Sequence, residues 1–166
     1  MSAARGIRVC ITLGVLAIVL GPATSTQAAA HCTTVTGSYV EHPVTGPSCL
    51  SPVGLCIEAT YRGGVSGTLE GRATSIVPTA DTPTTTVQLF TSDSTLTGRI
   101  GGRTGSLIIK NAGAFSSGGD GSIVDLQTII GGTGYLNGAT GALRSQGTFT
   151  FPDGGRSRYT GTVCFH

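Results

Sequence analysis

Short segments of alternating apolar and polar residues recur along most of this chain, and glycine-rich stretches separate them. Alternation with a period of two places the apolar side chains on one face of a β-strand. No stretch after about residue 30 keeps the period of 3.6 that an amphipathic helix needs. The pattern therefore predicts an all-β domain, built as an antiparallel sandwich or barrel.

We expect eight strands from this pattern. They are predicted at residues 33–41, 55–62, 64–77, 85–97, 106–115, 121–130, 142–151 and 156–165.

A glycine motif occurs twice between predicted strands, as GRIGGRTGSL at 98–107 and GYLNGATGAL at 134–143. A dinucleotide-binding loop needs a helix after its glycines, but the ALRSQGTFTF that follows here is typical of a strand. The motif therefore indicates hairpin turns and no nucleotide cofactor. Structural turns are expected at Gly98, Gly102, Gly105, Gly134, Gly138 and Gly141.

The N-terminus has the features of a secretory signal peptide. Arg5 and Arg8 precede an apolar stretch at 9–20, and small residues then lead to Ala28-Ala29-Ala30. The apolar stretch is shorter than the about 20 residues that a membrane-spanning helix needs. We therefore expect residues 1–30 to be removed, which leaves a single domain at 31–166, secreted and without a membrane anchor.

Removal of the signal peptide makes the chain nearly neutral. Eight Lys and Arg residues then stand against eight Asp and Glu residues. A nucleic-acid partner is not expected, because it would require an excess of basic residues.

Four cysteines remain after residue 30, an even number that is typical of disulfides in an exported domain. Three connectivities are open. We favour Cys49–Cys56, which brackets a short loop, and Cys32–Cys164, which would join the first and last strands. A metal site is not expected, because the sequence has no CxxC and its three histidines are scattered.

The stretches FTSDSTLTGRIGGRTGSLIIKNAGAF, GGTGYLNGATGALRSQGTF and RYTGTV resemble bacterial proteins of the DUF3224 type, grouped with the allene oxide cyclase barrel. The GGTG stretch is also similar to plant dirigent proteins. The resemblance implies a closed antiparallel eight-stranded barrel with room for a small apolar molecule. It brings no catalytic residue with it, and the disulfides depart from the pattern of these relatives.

The alternation also predicts which side chains fill the barrel. We expect the following to point inward: Val35, Tyr39, Ile57, Tyr61, Val65, Leu69, Val87, Leu89, Leu107, Ile109, Phe149, Phe151, Tyr159, Val163 and Phe165.

Among acidic residues, Asp125 stands out because it interrupts the apolar run SIVDLQTII. If it faces inward with Ile123, Gln127 and Ile129, it is a candidate general base with a raised pKa. The opposite face of this strand is more apolar, so we favour an outward Asp125. The ligand-binding candidates are Tyr39, Tyr61, Asn111, Phe149 and Tyr159.

The sequence supports two hypotheses of function. The first is a secreted barrel that binds a small apolar molecule in its interior, with cyclase or isomerase activity as an extension. The second is a non-catalytic extracellular or envelope module with a filled barrel, which acts in structure or interaction. Whether the protein is an enzyme, what its ligand is and whether it forms an oligomer stay open at this stage.

Overall fold

The computed structural model describes residues 31–81 and 86–166, so the predicted signal peptide lies outside the described residues. Eight strands run through this part of the chain, close to the predicted positions. They are β1 (His31–Val44), β2 (Cys56–Gly63), β3 (Val65–Asp81), β4 (Thr86–Ile100), β5 (Arg103–Ser117), β6 (Ser122–Gly132), β7 (Thr140–Thr150) and β8 (Gly154–Phe165). A short 3-10 turn, Gly134–Leu136, lies between β6 and β7.

The strands form a closed barrel in which each strand pairs antiparallel with its neighbours in sequence, and β1 pairs with β8 to close the ring. Closure leaves no sheet edge for another chain to extend. The predicted barrel is thus confirmed. Among the residues described, no helix is long and apolar enough to cross a membrane.

Both favoured disulfide pairings are confirmed. Cys32 lies directly opposite Cys164 in the ladder between β1 and β8, and a disulfide joins the two across this closing seam. The second disulfide, Cys49–Cys56, holds the connection between β1 and β2 against the first residue of β2. The cysteines therefore close the barrel at one place and fix a loop at another.

One end of the barrel is filled by apolar side chains. Val65, Ile100, Leu107 and Val163 are fully buried there, and Leu136 from the 3-10 turn packs among them. The connection between β6 and β7 thus closes this end of the barrel. Burial of a leucine of this kind contributes about 2 kcal/mol of stability.

In β4, the predicted inward face is wrong. Leu89 is 49% exposed and shares its outer face with Val87, whereas Phe90, Ser94 and Leu96 point inward. The apolar spacing misled the prediction because the inner face of β4 carries serines at Ser92 and Ser94. The prediction for Phe151 is also wrong. This side chain is 64% exposed because β7 ends one residue earlier, at Thr150.

Three of the six predicted turn glycines lie in connections: Gly102, Gly134 and Gly138. In the connection between β4 and β5, Gly101 and Gly102 have φ angles of 56° and 82°, which glycine adopts without strain.

The other three, Gly98, Gly105 and Gly141, lie within strands, so the turn prediction is wrong for them. A Cβ atom at Gly98 would collide with the Ser66 carbonyl oxygen of the neighbouring strand, and one at Gly141 would collide with the Thr162 carbonyl oxygen. These glycines allow close approach of paired strands in a small barrel.

Candidate functional site

A cavity of about 70 Å³ lies inside the barrel, at the end opposite Leu136. Its wall comes from the later residues of β1, β5 and β7, the early residues of β2 and β6, and the middle of the long strands β3 and β4. These parts of the strands meet at that end of the antiparallel barrel. The lining residues are Tyr39, Glu41, Leu55, Ile57, Leu69, Gly71, Ala73, Phe90, Ser92, Ser94, Asn111, Phe115, Ile123, Asp125, Gln127 and Phe149.

Three aromatic rings form part of the wall. The ring of Phe115 lies 6.1 Å from that of Phe90 and 6.2 Å from that of Phe149, measured between centroids. Phe90 and Phe115 are only half-buried, so their rings are partly open to solvent. These distances are typical of favourable aromatic contacts, which hold the rings in place beside the cavity.

The loop between β1 and β2 is fastened beside the same cavity. Its residue Leu55 lines the cavity, and its backbone carbonyl accepts a hydrogen bond of 2.9 Å from the Ala73 amide. The Ser51 hydroxyl donates a further bond of 2.7 Å to the Ala73 carbonyl. Together with the Cys49–Cys56 disulfide, these bonds fix the loop to β3.

Asp125 points into the cavity, so the favoured outward orientation is wrong. The opposite face of β6 is exposed instead, with Val124 at 55% and Leu126 at 41%. The register explains this orientation, because Asp125 lies opposite Gly113 of β5 and Ser145 of β7. Two small neighbours leave room for a carboxyl group inside the barrel.

A chain of hydrogen bonds orients Asp125. The Ser94 hydroxyl donates to Asn111 Oδ1 at 3.0 Å, and Asn111 Nδ2 donates to Asp125 Oδ2, also at 3.0 Å. Asp125 Oδ1 is buried and has no hydrogen-bond partner within the described part of the chain. Burial raises the pKa of Asp125, and the side chains of Asn111 and, to a smaller extent, Gln127 oppose part of that effect.

Glu41 is a second buried carboxyl group in the cavity. It lies opposite Ala59 of β2 and Gly155 of β8, two small residues that leave space for it. Its Oε1 atom has no hydrogen-bond partner in residues 31–81 and 86–166. Burial, together with the nearby charge of Asp125, raises the pKa of Glu41 to about 7. At neutral pH this group therefore exists in both protonation states.

Two tyrosines lie under the carboxyl groups. The rings of Tyr39 and Tyr61 stack at 4.6 Å between centroids. The Tyr39 hydroxyl shares a hydrogen bond of 2.9 Å with Ser145 Oγ, and the Tyr61 hydroxyl donates to Gln127 Oε1 at 3.0 Å. Burial raises the pKa of both phenols, so they stay neutral at physiological pH.

The structure brings three of the five predicted ligand-binding residues to the cavity: Tyr39, Asn111 and Phe149. Tyr61 is buried beneath the lining residues. The Tyr159 hydroxyl accepts a bond of 2.8 Å from the Val65 amide and donates to the Val65 carbonyl at 3.0 Å. Tyr159 therefore ties β8 to the start of β3 and does not line the cavity.

The sequence interpretation missed Glu41 and Ser94, and it considered Gln127 only as a residue that would face inward together with Asp125. Glu41 could have been found, because it shares the parity of Val35 and Tyr39, which were expected to face inward. Ser94 shares the parity of the buried Leu96.

The lining residues contain no Lys, Arg or His. Across the described ranges, no three His, Cys, Asp or Glu side chains are grouped so that they could hold a metal ion. The site is therefore an apolar cavity that carries two carboxyl groups and an oriented amide. Such a site can accept hydrogen bonds, and Glu41 can take up or release a proton near neutral pH.

Comparison with known proteins identifies the family of this chain and a structure of similar fold. No curated protein matches the chain significantly in sequence. The chain is similar in structure to a crystal structure of a DUF3224 protein with unknown function from Shewanella oneidensis MR-1, with a TM-score of 0.52 and 16% identity over 82% of this chain and 99% of that one. A family model described as "Protein of unknown function (DUF3224)" matches residues 26–162. Because this match spans most of the sequence, the chain belongs to the DUF3224 family.

Proposed function

We propose that this protein binds a small, mostly apolar molecule in the barrel interior. One observation carries the proposal: an apolar cavity contains two buried carboxyl oxygens, on Glu41 and Asp125, that lack hydrogen-bond partners among the described residues. A buried polar atom without a partner costs about 1–3 kcal/mol. A ligand that donates hydrogen bonds to these oxygens removes that cost.

The size of the cavity bounds the ligand. A single water molecule needs about 10–15 Å³ of such space, so the cavity of about 70 Å³ holds several waters or a small organic group. A purely structural module is expected to have a completely filled barrel. The internal space argues against that alternative. A longer ligand would extend outward past Phe90 and Phe115, which are partly open to solvent.

A direct test is a variant that fills the cavity. Ser92 lines the cavity and Ser66 is exposed on the outer face of β3, so Ser92→Leu has a matched control in Ser66→Leu. With isobutanol as a neutral probe, NMR titration should show shifts around the cavity in the wild type and in Ser66→Leu. The same shifts should be absent in Ser92→Leu. Equal shifts in both variants would reject the cavity as the binding site.

Native mass spectrometry of protein purified from its source organism supplies a complementary test. A bound small molecule should accompany the wild type and be lost from Ser92→Leu. Its mass would also begin to identify the ligand.

Acid–base catalysis of the isomerase or cyclase type is a second candidate function. A group with a pKa near the working pH is best suited to transfer protons, and Glu41 with a pKa of about 7 meets this condition. A relation to allene oxide cyclase and dirigent barrels is part of this proposal and rests on the glycine motif. Loss of turnover in Glu41→Gln, with ligand binding retained, would support catalysis once a substrate is known.

We also propose that the protein is secreted after removal of residues 1–30. The two disulfides support this, because they persist in oxidising compartments. N-terminal sequencing of exported protein should begin at His31. Retention of the N-terminus in the mature protein would contradict the proposal.

A further inference from the structure

We infer that the cavity selects a ligand with a protonated primary or secondary amine, bound between Glu41 and Asp125. This inference rests on the proposed binding function and names the chemical class of its ligand. Nothing in the family match or the structural comparison assigns such a ligand.

The two carboxyl groups at the cavity are buried and incompletely hydrogen-bonded. Glu41 is 9% exposed and Asp125 is 8% exposed, so both are more than nine-tenths buried, and both line the same cavity. Each has one oxygen without a partner within the described chain. In the ionised form, a carboxyl group only accepts hydrogen bonds, so the partner that each ionised group lacks is a donor.

Most hydrogen-bond donors around these two oxygens are already engaged. The buried Ser157 hydroxyl has no partner among the described residues and bonds to neither oxygen, and the Gln127 side chain opposes the raised pKa of Asp125 less than Asn111 does. Asn111 donates to Asp125 Oδ2 and accepts from Ser94, and the Tyr39 hydroxyl is bonded to Ser145. The Tyr61 hydroxyl donates to Gln127. None of these bonds reaches Glu41 Oε1 or Asp125 Oδ1.

Within the described chain, the wall of the cavity has no positive charge to balance the carboxyl groups. The titratable groups at the cavity are Glu41 and Tyr39 from β1, Asp125 from β6 and, beneath them, Tyr61 from β2. The lining residues include no cationic side chain that could neutralise the carboxylates. A ligand that supplies both the positive charge and N–H donors fits this site, because buried charges are stable when paired and hydrogen-bonded.

The aromatic wall suits the rest of such a ligand. Phe90, Phe115 and Phe149 offer apolar surface for an alkyl group and ring faces that attract a cation. A quaternary ammonium would lack the N–H donors that the two carboxyl oxygens need. The geometry therefore favours a primary or secondary amine on a compact apolar body.

Binding of a cation should depend on pH in one direction. Glu41, with a pKa of about 7, is mostly protonated at pH 6 and mostly ionised at pH 8. An ammonium ion binds the ionised form, so below pH 7 binding must release a proton. We expect the affinity to rise about tenfold between pH 6 and pH 8.

The test compares isobutylamine with isobutanol, which has nearly the same shape and no charge. NMR titrations of the full mature protein at pH 6 and pH 8 measure both dissociation constants. At pH 8, isobutylamine should bind at least tenfold more tightly than isobutanol. Its affinity should fall about tenfold at pH 6, whereas that of isobutanol should change little.

Two variants test whether Glu41 causes the preference for the amine. Glu41→Gln should remove most of the preference for the amine and its dependence on pH. Glu70→Gln, a matched change on the exposed outer face of β3, should leave both unchanged. If Glu41→Gln does not fold, as judged by circular dichroism, Asp125→Asn provides the second test, because it retains an acceptor for Asn111 and should also weaken the preference.

The outcomes separate the two proposals. Equal binding of isobutanol and isobutylamine would overturn the amine inference and leave the binding function intact. An amine preference that survives in Glu41→Gln and Asp125→Asn would place the amine elsewhere and overturn the inference. If neither probe shifts cavity resonances, both proposals fail.

Discussion

Replacing Glu41 with glutamine should stabilise the protein at pH 8. Burial and the charge of Asp125 raise the pKa of Glu41 from its ordinary 4.5 to about 7 in the folded protein. Because the folded pKa is raised, the folded state prefers the protonated carboxyl, which glutamine resembles in shape and lack of charge. In the unfolded chain, the same group is ionised above pH 4.5.

The size of this effect follows from the pKa difference. A difference of one in pKa corresponds to about 1.4 kcal/mol, so the raised pKa of Glu41 lowers the free energy of unfolding by about 3 kcal/mol above pH 7. The penalty is absent below pH 4.5, grows between pH 4.5 and pH 7, and is constant at higher pH. The free energy of unfolding of Glu41→Gln should therefore exceed that of the wild type by about 3 kcal/mol at pH 8 and by little at pH 4.

Urea denaturation at several pH values, with the disulfides intact, measures this gain. The exposed residue Glu70 provides the control, because Glu70→Gln removes the same charge without changing a buried group. Its stability should follow that of the wild type at every pH. If Glu41→Gln were less stable than the wild type at pH 8, or if its gain were the same at pH 4, the reasoning would be refuted.

Three further predictions concern the architecture. Changing both Cys32 and Cys164 to serine should lower the free energy of unfolding by about 3–5 kcal/mol, because their disulfide closes a long loop; an unchanged urea midpoint would contradict this. Leu136→Ala should cost about 2–5 kcal/mol because the side chain is buried in the closed end, whereas the exposed control Leu50→Ala should cost little; thermal melts compare them. Tyr159→Phe should lower the free energy of unfolding by about 1–3 kcal/mol, because it leaves the Val65 amide without its acceptor. Hydrogen exchange at that amide should become faster.

The fold could be predicted from the sequence because most strands follow the rule that apolar side chains point inward. Val35, Tyr39 and Val163 alternate with polar residues, and all three are buried. The cysteines added a second constraint, since pairing at the two ends of the domain fits a barrel that closes between its first and last strands. Alternation and cysteine positions are local signals, which a sequence carries directly.

The same rule failed on the strands that place polar side chains in the otherwise apolar interior of the barrel. In β6, Asp125 and Gln127 point inward while Val124 and Ile130 are exposed, so the more apolar face was mistaken for the core. Ser92 and Ser94 caused the same error in β4. These four polar side chains all line the same cavity. Strand register, which sets these faces, depends on distant pairings that the local sequence does not reveal.

Carbon-13 NMR of the Glu41 side-chain carboxyl tests most directly whether this buried group binds a cationic partner. Titration of the empty protein should give a pKa of about 7, and saturation with isobutylamine should lower it toward the ordinary value of 4.5 or below. A pKa near 4.5 in the empty protein, or one that isobutylamine does not change, would contradict the account.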